Sequence, residues 1–152
     1  KAADQGNPLG QFNLGFMYHQ GEGVTRDYGE AAKWFRKAAD HGHAFAQYLL
    51  GAMYSEGLGV TRDYAEAAKW YRKAADQGNP LGQFNLGFMY YEGQGVTRDY
   101  EAAYILIARF AAQGDEDAKK YLDMVEKKLT PEQLGRAQKA ASEWQPVSGT
   151  LP

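Results

Sequence analysis

The residues in this chain that could do chemistry are few. Three histidines occur, His19, His41 and His43, two of them in the stretch HGH at 41–43. Imidazoles can hold zinc, but an HExxH spacing is missing and cysteine is absent from the whole sequence, so no metal set is complete. The lack of cysteine also excludes disulfides and thiolate nucleophiles. Ser55, Ser142 and Ser148 stand in neither an S-x-x-K nor a G-x-S-x-G pattern, so a serine nucleophile has no activating partner nearby in sequence. Three glycine-rich segments, GEGV, GLGV and GQGV, resemble phosphate-cradling loops. Each lacks the lysine, and none follows a strand pattern, so they read as turns. The acidic run Asp115-Glu116-Asp117 suits a helix N-terminus, where carboxylates oppose the helix dipole. No aspartate or glutamate stands in an apolar context that would raise its pKa. The expectation is a protein without catalytic residues, cofactor or metal.

Composition supports that expectation. The chain has 152 residues, 44% hydrophobic and 24% charged, which is a folding composition and not a disordered one. A net charge of −2 supplies no basic field for nucleic acid, and no lysine- or arginine-rich block is present for an anionic membrane. No apolar run reaches the roughly 18–20 residues that span a bilayer.

What the sequence does carry is a period. KAADQGNPLGQFNLGFMY at 1–18 recurs letter for letter at 73–90, and GVTRDY occurs at 23–28, 59–64 and 95–100. The unit is 36 residues, which aligns Trp34 with Trp70 and Met17 with Met53 and Met89. Such a period means stacked supersecondary units that bury their apolar faces on one another.

Within each unit the signals predict two helices. Asn79-Pro80 gives a capping side chain followed by proline at the first helical position, and an apolar-rich helix A follows, closed by Gly93 and Gly95. Asp27 and Asp63 precede Glu30 and Glu66 in the D-x-x-E spacing of a capping box, opening helix B, whose Ala67, Ala68, Trp70, Tyr71, Ala74 and Ala75 recur at helical steps. Ala102 breaks the box in the third unit and predicts a weaker start there. The fourth unit predicts a helix from Asp115 to Lys128 and a second one capped by Thr130-Pro131 with Gln133 completing a box; its many charges suit a terminal cap with one wet face.

The expected architecture is therefore all-α, a superhelical solenoid of about four 36-residue helix-loop-helix repeats. Residues 1–144 form it, with repeats at about 7–42, 43–78, 79–114 and 115–144, and 145–152 is a loose tail. Lys1 to Asp4 matches the last turn of helix B at Lys37–Asp40, so further repeats are expected upstream, and any secretion signal with them.

The unit A-x-x-x-LG-x-x-Y-x-x-G-x-GV-x-x-D-x-x-x-A-x-x-W-x-x-x-A-A-x-x-G resembles the Sel1-like repeat. The second unit carries all of it, at Ala46, Leu50, Gly51, Tyr54, Gly57, Gly59, Val60, Asp63, Ala67, Trp70, Ala74, Ala75 and Gly78. The first and third have Gly10 and Gly82 at the opening alanine, and the third has Leu106 for the tryptophan. The tetratricopeptide unit, at 34 residues and without the G-x-GV loop, is the weaker match. The resemblance implies a right-handed α-solenoid acting as a scaffold or adaptor, in bacteria often periplasmic or secreted. Its cysteine-rich subgroup pins helix pairs with disulfides, which a chain without cysteine does not share.

A surface remains to be assigned. With Ala46, Leu50, Met53 and Tyr54 turned inward, Phe45, Tyr48 and Ala52 point away, and their repeat mates are Leu9, Phe12, Phe16 and Leu81, Phe84, Phe88. Asn13, Leu49 and Asn85 run beside them. The expected partner site is thus a concave face of A helices built from Phe12, Phe16, Asn13, Tyr48, Leu49, Phe84, Asn85 and Phe88, with ring anchors and amides able to bond an extended peptide or seat a partner helix. The competing reading is that Phe12, Tyr48 and Phe84 pack between consecutive A helices. A different class of function, an envelope protein binding cell-wall glycan on aromatic platforms or acting as a hydrolase, stays open, as does self-association through the N-terminal end.

Overall fold

The computed structural model describes residues 6–146; the readings made above for residues 1–4 and for most of the tail lie outside them. Among the described residues there are eight helices and no strand: α1 (Pro8–Gln20), α2 (Tyr28–Asp40), α3 (Ala44–Glu56), α4 (Tyr64–Asp76), α5 (Pro80–Glu92), α6 (Tyr100–Ala111), α7 (Ala118–Glu126) and α8 (Pro131–Glu143). The odd-numbered helices are A helices and the even ones B helices.

Local chemistry sets their limits. Asn7 and Asn79 accept from the N–H of Gly10 and Gly82 at 2.9 and 2.8 Å, with Pro8 and Pro80 next in the chain. In α3 the same place falls to His43, whose Nδ1 accepts from the Ala46 N–H at 3.1 Å. Asp27, Asp63 and Asp99 cap α2, α4 and α6 at 3.0, 3.1 and 3.0 Å. The third B helix is therefore capped as well as the others despite Ala102. The reciprocal half of the expected box is not formed by Glu30 and Glu66, which turn to Lys33 and Lys69 instead. Thr130 and Gln133 do form both halves at α8. At the acidic run, Asp115 accepts from the N–H of Asp117 and Ala118, so α7 starts three residues later than the sequence suggests.

Each of the first three A helices turns back on its B helix through a loop closed by a backbone bond, from Asp27, Asp63 and Asp99 N–H to the carbonyls of Tyr18, Tyr54 and Tyr90, each at 3.0 Å. Glycine lets the two helices of a hairpin meet: a Cβ on Gly51 would lie 2.8 Å from the Tyr71 ring. Successive hairpins stack B against the next A, α2 on α3 and α4 on α5. Three apolar clusters result, and each draws on two neighbouring units. The first joins Phe35 to Leu50, Met53 and Trp70, the second Tyr71 to Leu86, Met89 and Leu106, and the third Tyr104 and Ile107 to Val125 and Ala137. No hairpin owns a core, which is why the stack folds as one body. The last two helices depart from the pattern, since α7 and α8 both pack on α6 more than on each other.

Candidate interaction surface

The A helices α1, α3 and α5 carry almost no charge. Glu56 and Glu92 end α3 and α5, and α1 has only His19 as an ionisable basic group, whereas α2 and α4 hold Lys33, Arg36, Lys37 and Lys69, Arg72, Lys73. Along the A helices, three of the four large apolar residues most exposed to solvent share one repeat position: Leu9 at 59%, Phe45 at 38% and Leu81 at 39%. The fourth, Met17, lies two turns further along α1. An apolar residue exposed in isolation is ordinary, but three in register on successive repeats make a row.

The rings singled out from sequence lie beside this row and are engaged with one another. Phe12 stacks on the His43 imidazole with centroids 4.5 Å apart and reaches Phe45 at 5.5 Å, bridging α1 to α3. Its helix neighbour Phe16 lies 6.0 Å away. Tyr48 stacks on Phe45 at 5.8 Å and on Tyr71 at 5.9 Å. Phe84 and Phe88 form a cluster with Tyr121 of α7 at 5.1 and 5.2 Å. Phe12, Phe16 and Leu49 are partly buried against the first apolar cluster and Tyr48 against the second. Phe12 and the Phe84–Phe88 pair thus bridge successive A helices, whereas Tyr48 is engaged within its own hairpin. Asn13 is exposed, while Asn85 is half-buried and its Nδ2 donates to the Leu81 carbonyl at 2.7 Å, so half of that amide is spent on its own helix.

Electrostatics follow from this packing. Burial lowers the pKa of both His43 and His19, and at His19 the nearby Arg26 acts in the same direction. Burial, and then Glu56, raise that of the Tyr48 phenol. Among the described residues no group of three or more His, Cys, Asp or Glu could hold a metal ion, and no helix is long and apolar enough to cross a membrane.

Sequence reasoning missed the most buried polar groups. Gln11, Gln47 and Gln83, one in each of α1, α3 and α5, are 4%, 4% and 0% exposed. Gln47 donates to the Ala39 carbonyl at 3.1 Å, and its Oε1 accepts at 2.8 Å from Gln77, which also donates to Gly42. Gln83 and Gln113 repeat the arrangement one unit on, at 2.7 Å, with Gln113 also bonded to Gly78. The signal available in the sequence was recurrence of one amide residue at 11, 47 and 83.

Comparison with known proteins agrees with the geometry. A family model described as Sel1 repeat matches residues 8–43, 44–79 and 80–115, one residue later than the frame inferred above. Among curated proteins no sequence matches the chain. Among solved structures, a Sel1 repeat protein from Oxalobacter formigenes is 37% identical over 79% of this chain and 49% of its own, with a TM-score of 0.77. The protein c5321, a protective antigen of uropathogenic Escherichia coli displaying an SLR fold, is 40% identical over 93% of this chain and 31% of its own, with a TM-score of 0.81. Cysteine rich protein B of Helicobacter pylori shares the fold, with a TM-score of 0.64 at 24% identity, over 76% of this chain and 89% of its own. The chain thus spans about half the length of the first of these and less than a third of the second. Sel1 repeats serve in general as scaffolds for protein–protein interaction and are typically not catalytic. With three consecutive repeats matched in the register that the stacked hairpins show, the chain belongs to the Sel1 repeat family.

Proposed function

We propose that this chain is a non-catalytic docking module whose A-helix face seats an apolar segment of a partner protein, an extended peptide or a helix. One observation carries the reading. Leu9, Phe45 and Leu81 stand exposed at the same position of three successive A helices, a row that neighbouring packing leaves uncovered. The rings of Phe12, Tyr48 and Phe84 form its floor, fixed by the stacking described above, and a rigid aromatic floor loses little entropy when a partner arrives. Asn13 and the Oδ1 of Asn85 flank the row as hydrogen-bonding groups. At its far end Glu56 and Glu92 favour a partner carrying lysine or arginine.

The test places a photo-crosslinking residue at position 45 and, as a control, at position 33 on a B helix. A single protein captured from position 45, and lost when Leu9 and Leu81 are both changed to serine, supports the reading. Saturable binding of peptidoglycan fragments with no protein captured would replace it with the glycan-binding alternative.

A further inference from the structure

We infer that the cavity between the C-terminal end of α6 and the end of α8 is a binding site for the carboxylate of an apolar ligand. The cavity encloses about 500 Å³, within the range of small-ligand sites, and Arg109 is the single charged residue lining it. Its remaining walls include Ala112, Ala141, Trp144 and Pro146, which are apolar, and Gln113.

Arg62 and Arg98 also lie over rings without a hydrogen bond among the described residues, but both are exposed; Arg109 differs from them in burial and from the remaining arginines in its partners. Arg36 and Arg72 donate to the hydroxyls of Tyr54 and Tyr90, and Arg136 pairs with Glu101 at 2.6 Å. Arg109 is half-buried, and among the described residues its guanidinium has neither a hydrogen-bond acceptor nor an ion pair; its Nε is buried without a partner. The two preceding repeats show how this arises. Lys37 and Lys73, two and one units back, lie over Trp34 and Trp70 three residues earlier on their own helices, at 4.3 and 4.9 Å. In α6 that tryptophan is replaced by Leu106, and Arg109 instead stacks on Trp144 from the end of α8, 4.7 Å from the ring centre. Stacking fixes the plane of the fork and leaves its N–H groups unspent.

Among the described residues no acceptor is bonded to it. Burial depresses the arginine's pKa and the carboxylate of Asp76 opposes this through space, without forming an ion pair. The amide donors of Gln113 are held by Gly78 and Gln83, and the Ser142 hydroxyl donates to the Lys139 carbonyl. A half-buried cation with idle donors is costly, and a ligand carboxylate would satisfy the fork with two parallel bonds. Alanine, proline and indole walls then select an apolar body behind that carboxylate.

The site is tested with phenylacetate and phenylacetamide, following the indole N–H signal of Trp144 by NMR, assigned with Trp144→Phe. Phenylacetate is expected to shift the signal saturably, at least about ten-fold more tightly than the amide, because a charge-assisted bond is lost with the charge. Arg109→Gln is expected to abolish that preference with the helical circular dichroism unchanged. Acetyl-alanyl-phenylalanine and its amide form a second arm: tighter binding of the dipeptide acid than of phenylacetate assigns the carboxylate to a peptide terminus, and weaker binding assigns it to a small acid. Equal binding of acid and amide overturns the proposal, as does an unmoved Trp144 signal or inorganic phosphate binding as tightly as phenylacetate. Should Arg109→Gln fail to fold, the acid-against-amide comparison on the unaltered chain still decides.

Discussion

Gln113 donates its side-chain amide to the Oε1 of Gln83 at 2.7 Å, and Gln77 does the same to Gln47 at 2.8 Å, so these two buried glutamines each accept from a residue thirty positions later. The bond runs from the turn after one B helix to the A helix of the same unit, and the donor's second contact, to Gly42 or Gly78, ties in the turn of the unit before. The chain of amides locks the stacking register.

Removing one link should therefore cost more than an exposed substitution. Gln113→Ala leaves the Gln83 Oε1 without its acceptor role inside the protein and is expected to destabilise by about 1–3 kcal/mol. Adding Gln83→Leu should restore part of the loss, and urea denaturation of the two single variants and the double variant measures the coupling.

Two glycines with the same backbone hand should respond differently to alanine. Gly59 has φ +72°, and a Cβ there would come within 2.2 Å of the Tyr28 carbonyl in the preceding unit. Gly114 has φ +104° with nothing within 4 Å. Gly114→Ala should cost about 1–2 kcal/mol from backbone strain alone, whereas Gly59→Ala adds a clash that moves one hairpin off the next. Thermal melts should rank Gly59→Ala clearly lower.

His43 makes stability depend on pH. Its Nδ1 caps α3 as an acceptor, a role that only the neutral ring can fill, and burial beneath Phe12 lowers its pKa below the ordinary 6.5. The folded state thus prefers the neutral form, so its contribution is complete above about pH 6.5 and is lost as pH falls through the lower folded value. His43→Asn, the residue type at the equivalent positions 7 and 79, should flatten the melting temperature between pH 7.5 and 5. A residual slope of the same sign is expected from His19.

The surface row and the core should separate cleanly. Leu86 is fully buried, and Leu86→Ala should cost about 2–5 kcal/mol. Leu81→Ser, five residues earlier on the same helix and exposed, should change stability by no more than about 0.5 kcal/mol while weakening partner capture. Paired unfolding and crosslinking measurements on the two variants check both halves.

What the amino-acid sequence determined by itself is the repeat, its length and the limits of most helices, because those depend on contacts within a few residues. Asn79 reaches Gly82 and Asp63 reaches Glu66 whatever the remainder of the chain does. Asp115 shows the limit of such reasoning: its cap acts on Ala118, and the helix begins there and not at the acidic run itself. Tertiary structure alone decided which faces met. Glutamine at 47 and 83 has the composition of a surface residue, and its burial follows from amide donors supplied thirty positions away. Aromatic residues expected on a binding face are packed against one another, because stacking hairpins brings Phe12 to His43 and Phe84 to Tyr121, burying apolar ring area that a single hairpin leaves in water. Likewise the isolated charge of Arg109 is set by a tryptophan 35 residues on, folded back from the end of α8 to lie beneath it.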